Sequence, residues 1–192
     1  MELLESFGIR YMHGVLPPWF YKVWLTVMTV PLFKSAEQEA VRSFGVRNPL
    51  VRSFHKEGVI QNREEFVDFL EPEQLAMSVA GGGKLVFSVR MLTEEKRDFV
   101  AVKIDMENAF NAVSRAAIIE GLEKEPSLQH LAGLAAVTLA PAHGLEAGGQ
   151  KWGESAEGAT QGDPLSSPFF NVAWHKEVRK LDMTLKESGG FA

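Results

Sequence analysis

The chain has 192 residues, 45% of them apolar, and a formal net charge of −5. That size and composition suit one domain, or a piece of a larger one, with a sizeable core, and the charge has the wrong sign for an ordinary nucleic-acid binder. There is no cysteine, no apolar run of membrane-spanning length and no basic start of a secretory signal, so disulfides and thiolate metal sites are excluded and an intracellular protein without a membrane partner is expected.

Residues 1–24 mix apolar and aromatic positions, broken by Pro17 and Pro18. Leu25 to Phe33 reads as a strand, which Pro31 confines to an edge or an end. Val41 to Val46 reads as a second strand. Asn48-Pro49 supplies a cap and a first helical position ahead of Leu50, Val51 and Phe54. Arg42, Arg47, Arg52 and Lys56 follow one another with no acid between them. They form either a phosphate-neutralising patch or a solvated face. Gln61 to Leu70 reads as a short acidic helix, interrupted by Glu71-Pro72. A further segment from Gln74 stops at Gly81-Gly82-Gly83, which is a hinge, a close backbone approach or a plain turn. Lys84 to Arg97 is amphipathic at helical spacing, with Leu85, Val89 and Leu92 expected in the core.

Next comes the stretch around which the chain is organised, Val102 to Arg115. Phe99 to Ile104 alternates as a strand does: Val100, Val102 and Ile104 on one face, Ala101, Lys103 and Asp105 on the other. Ser114 then caps a helix through Ile118, Ile119 and Leu122 that Pro126 stops. Ser127 caps another, through Leu131, Leu134 and Leu139, ended by Pro141. Residues 143–158 are glycine-rich and read as a turn or hairpin with Trp152 packed inside. Asp163-Pro164 signals a helix start, as does Ser167-Pro168 four residues on. The helix buries Leu165, Phe169 and Val172, runs to Leu185 and ends at Gly189-Gly190. The five histidines show no ligand spacing and read as structural or exposed. Glu107 reads as a turn contact and Asp163 as a helix cap.

Two of these stretches together resemble a family. Ile104-Asp105 followed by Asn108-Ala109-Phe110-Asn111 is similar to the first catalytic palm motif of reverse transcriptases of the non-long-terminal-repeat retrotransposon type. Gly158 to Phe169, with Gln161-Gly162-Asp163-Pro164-Leu165-Ser166 at its centre, resembles the second palm motif. Upstream, Pro31-Leu32-Phe33-Lys34 and Val41-Arg42-Ser43-Phe44-Gly45-Val46 look like fingers segments, although Ser43 stands where the family usually has proline. Gln74 through Gly83 resembles the segment before the first palm motif. The resemblance spans roughly residues 15–190.

The resemblance implies an RNA-directed DNA polymerase, joining deoxynucleotides to a DNA primer on an RNA template through two magnesium ions. It implies that Asp105 is a metal ligand and catalytic residue, helped by the Met106 carbonyl, and that Lys34 and Arg42 touch the triphosphate. Phe110 would pack under the nucleotide sugar and exclude a 2′-hydroxyl. Gln161 and Gly162 would line the nucleotide, and Arg47, Arg52 and Lys56 would touch template backbone. Taken singly, each residue has a plainer reading: Asp105 as a cap or solvated turn, Phe110 as core, the cations as surface charge.

The family's third palm motif is an aromatic residue, a variable one and two aspartates, and no Asp-Asp pair occurs here. One carboxylate cannot hold two magnesium ions, so tight metal binding is not expected. The expected fold is α+β: a fingers-like region over 1–95, with the transition near 70–95, and a partial palm over 96–192, part of a polymerase right hand without thumb. Such a piece would be inactive alone. The alternative is a non-catalytic protein, derived from such a domain, that grips nucleic acid or a partner.

Overall fold

The computed structural model describes residues 2–35, 38–98 and 100–190, with backbone alone for 31–35 and 38–43. The fold is α+β. Helix α1 (Glu2–Met12) is followed by α2 (Pro18–Trp24), with Pro18 in the first turn, where its missing N–H costs nothing. Strands β1 (Val27–Ser35) and β2 (Gln38–Val46) form an antiparallel pair. Helix α3 (Pro49–Gln61) begins as expected, with Asn48 Oδ1 accepting from Leu50 N at 2.9 Å. Then come α4 (Arg63–Leu70) and α5 (Gly81–Glu95). A single turn, α6 (Ala109–Ala112), precedes α7 (Arg115–Lys124), whose cap Ser114 accepts from Ala117 N at 3.2 Å. A 3-10 turn (Gln129–Leu131) leads into α8 (Ala132–Leu139). The hairpin β3 (His143–Ala147) and β4 (Gln150–Ser155) turns on Gly148 and Gly149, both at positive φ as a two-residue hairpin loop requires. The last helix is α9 (Ser166–Glu187), closed by Gly189 at φ +79°.

The four strands form one mixed sheet in the order β2-β1-β3-β4. Strand β1 meets β3 in parallel only through Val27 and Met28. Beyond them it has β2 alone as a neighbour, so Pro31 sits where no second ladder needs its N–H. The core runs from Tyr11, Tyr21 and Leu25 through Val51, Phe66 and Leu70 to Ile118, Leu122, Leu134, Phe169 and Val172. At one end α1, α2 and α3 share an aromatic cluster. Phe20 stacks on Trp24 at 4.6 Å between ring centroids, and Phe7 reaches Phe20, Trp24 and Phe54 within 5.8 Å.

Several expectations need correction. Residues 100–106 hold no strand; Phe99 lies outside the described residues. Alternation alone does not make a strand, because its stability comes from cross-strand neighbours. All four strands of the sheet lie elsewhere in the chain. Val100, Val102 and Ile104 are 86, 78 and 76% exposed. Helix α5 forms where expected, but Leu85 and Val89 are exposed and not in the core. The glycine run is no hinge: it opens α5, and Gly81 is required because a Cβ there would stand 1.9 Å from the Leu75 carbonyl oxygen. Trp152 is 59% exposed, so the hairpin does not enclose it. Ser127 caps nothing; its hydroxyl donates to the Glu125 carboxylate.

Candidate functional site

Three segments converge beside the sheet: the end of β2 with the start of α3, the short helix α6, and the loop 158–165 that leads into α9. The backbone makes the junction. Gly158 N donates to Val113 O at 3.2 Å, Ala159 N to Phe110 O at 2.7 Å, and Gly45 N to Gln161 O at 2.9 Å. Glycine is required at two of these points. Gly158 has φ +72°, and a Cβ there would lie 2.3 Å from Asn111 O. Gly162 has φ +107°, and a Cβ there would lie 2.5 Å from the Phe44 ring and 2.8 Å from Gly45 O. The stretches that carry the two motifs are therefore joined to each other and to β2.

Next to this junction lies an open pocket of about 280 Å³. Asn111, Thr160, Gln161 and Gly45 line it, together with Thr29, Trp152 and Glu157. Phe110 is half-buried and does not line the pocket; its ring lies 5.2 Å from that of Phe170. Asp105 and Met106 are exposed and do not line the pocket. Lys34 is on β1, and Arg42 on β2 pairs with Leu32, but their side chains lie outside the described residues. Arg52 and Lys56 are exposed and lie one turn apart on α3.

Arg47, expected among the cations that touch template, is buried instead. Its Nε approaches Asp163 Oδ2 at 2.6 Å, an ion-pair contact without the alignment of a hydrogen bond. Nη1 donates to Leu25 O at 3.0 Å and Nη2 to Thr160 Oγ1 at 2.8 Å. Buried in this way, the guanidinium is not presented to a template phosphate. His55 Nδ1 also contacts Asp163, at 2.8 Å, and its Nε2 lies 2.8 Å from the Tyr11 hydroxyl. The Tyr21 hydroxyl donates to Tyr11 O at 3.0 Å. Burial alone would push the Asp163 carboxyl up. The His55 contacts, the Arg47 charge and the Leu165 amide outweigh it and hold the group well below the usual carboxylate range. Asp163 does act in the turn before α9, its Oδ1 accepting from Leu165 N at 3.0 Å. Its larger role is as the counter-charge at the centre of the fold. Burial raises the Tyr11 hydroxyl above its ordinary range. The Tyr–His–Asp chain is sealed from solvent, so it is a lock between α1, α3 and α9 and no reagent reaches it.

Arg115 is the second buried cation, and nothing in the sequence marked it. It donates to the carbonyls of Gly158 (2.8 Å), Leu139 (2.7 Å), Pro141 (3.1 Å), Ser155 (3.1 Å) and Glu157 (3.0 Å) and to Ser155 Oγ (2.9 Å). One guanidinium thus fixes the end of α8, the end of β4 and the start of the 158–165 loop. An arginine one residue past a helix cap looks like any surface cation, and its acceptors are backbone groups that leave no trace in composition.

Neither a protein-family model nor a curated protein matches the chain. The candidate site therefore rests on its own geometry. Among the described residues no group of three or more His, Asp or Glu is arranged to hold a metal ion. The donors expected for magnesium, the Asp105 carboxylate and the Met106 carbonyl, lie on an exposed stretch without regular structure. Hard divalent cations need several oxygen ligands at fixed positions, so this donor set does not fit a two-ion centre.

Proposed function

We propose that the chain is a reverse-transcriptase-type fingers and partial-palm unit of the polymerase right hand, which grips nucleic acid but does not extend a primer. One observation carries the reading: the Phe110 and Gln161 segments are joined through Gly158 and Ala159 beside a single pocket that Asn111 and Gln161 line. Two stretches separated by the whole of α7, α8 and the hairpin have no local reason to meet. A shared pocket beside the sheet, mostly apolar with a few polar groups converging on it, is the arrangement a nucleotide site requires.

The parent activity would be RNA-directed DNA synthesis with deoxynucleotides, a nucleotidyl transfer. In this reading Phe110 limits space beside the sugar, Gln161 faces the nucleotide in the pocket, and Gly162 holds the loop beside it in place. Arg52 and Lys56 offer charge to a template backbone. Asp105 is one carboxylate where the reaction needs several, so the chain binds without turning over.

The test uses the purified chain with an RNA template annealed to a DNA primer, deoxynucleotides and magnesium or manganese. No extension is expected. Binding is expected at low salt and falls as salt rises, with a log–log slope of roughly −1 to −2 for two phosphate contacts. Arg52→Glu with Lys56→Glu should flatten that slope. Robust extension would overturn the single-carboxylate reading. Absent or salt-independent binding would overturn the nucleic-acid reading.

A further inference from the structure

Residues 100–106 have the sequence of a strand but none of its pairing, and their apolar side chains stand in water. Val100, Val102, Ile104 and Met106 fall on one face of such a strand and Ala101, Lys103 and Asp105 on the other. Helix α5, four residues upstream, also leaves Leu85 and Val89 exposed. Exposed apolar surface on this scale marks an interaction site.

We infer that the occupant is a second copy of this chain, with residues 100–106 of the two copies pairing antiparallel about a two-fold axis at Ile104. The charges select this register. Centring on Ile104 sets Lys103 of each copy opposite Asp105 of the other, twice over by symmetry, and places Ile104 against Ile104 and Val102 against Met106 on the apolar face. Centring on Lys103 sets lysine against lysine, and centring on Asp105 gives Lys103–Glu107 pairs but sets Asp105 against Asp105 between them. Centring on Met106 opposes Asp105 to Glu107, and centring on Val102 gives no charge pair within residues 100–106. A one-residue slip also exchanges the two faces, so the register is strongly specified. A two-stranded ribbon is marginal by itself and needs a layer on its apolar side. In the proposed dimer the exposed apolar side chains of α5, the nearest in sequence, form that layer. None of this depends on the polymerase reading.

Sedimentation equilibrium over a range of concentrations tests the inference. The native chain should dimerise. Lys103→Asp places acid opposite acid at both pairs and should weaken association by roughly tenfold or more. The double variant Lys103→Asp with Asp105→Lys inverts both pairs and should restore it. Both positions are exposed, so the far-ultraviolet circular dichroism of the monomer should be unchanged. A native chain that stays monomeric overturns the inference. So does a dimer indifferent to Lys103→Asp, or a double variant no tighter than the single one.

Discussion

Replacing Asp163 by asparagine leaves Arg47 and His55 in the interior without their counter-charge. A buried cation cannot recover its hydration, so the loss is the penalty for an orphaned charge and not merely one contact. Arg47→Met leaves the carboxylate with His55 alone. Each single change should cost about 3–5 kcal/mol, read as a fall in the urea midpoint at unchanged slope. The double variant Arg47→Met with Asp163→Leu should cost clearly less than the sum, because the two groups share one network. Strict additivity would show that the 2.6 Å contact carries no coupling.

Elements readable in the sequence are those whose causes are local. Asn48 and Ser114 cap helices by bonding amides two and three residues on, Gly148-Gly149 turns the hairpin, and Gly189 stops α9. The cause sits within a few residues of the effect, so the sequence shows it. The strand expected at 99–104 needed a distant partner, and α5 needed a neighbouring surface to cover its stripe. Neither requirement is written in the segment itself. The site divides in the same way. Its motif residues could be named, but the burial of Arg47 against Asp163 and the six bonds of Arg115 join parts of the chain far apart in sequence. Gly158 sits at this boundary between local and distant causes. It reads as an ordinary loop glycine, yet it lies against Asn111 O at positive φ. Gly158→Ala should break the two backbone hydrogen bonds that join residues 110–113 to the 158–165 loop and cost about 2–4 kcal/mol, counting the φ penalty and the clash. Gly153→Ala, where a Cβ meets nothing within 4 Å, should leave the melting temperature within about a degree. Equal effects at the two positions would sink the account of the junction.

For the molecule as a whole, these buried groups set how stability responds to acid. His143 is buried at the start of β3, and neither ring nitrogen has a hydrogen-bond partner among the described residues. Burial, with the Arg47 and Arg115 charges adding to it, pushes its pKa down to about 4. Burial lowers His175 as well. Above about pH 7 these two imidazoles are neutral in both folded and unfolded chains and contribute no pH dependence. As pH falls from about 6.5 towards 4, the unfolded chain takes up protons that the folded chain refuses, so stability declines. For His143 alone the decline amounts to roughly 3 kcal/mol at full extent. Asp163 acts lower down. Its folded carboxyl is depressed, so its contribution is intact above the ordinary carboxylate range and is lost only as pH drops below about 4. The two kinds of group therefore separate along the pH axis. His143→Leu removes two unpartnered nitrogens and the protonation step together. In urea unfolding at a series of pH values, the curve of stability should flatten between pH 6.5 and 4 while the steeper loss below pH 4 persists. A slope between pH 6.5 and 4 that survives the substitution undiminished would show that acid unfolding of this fold begins somewhere other than at the buried end of β3.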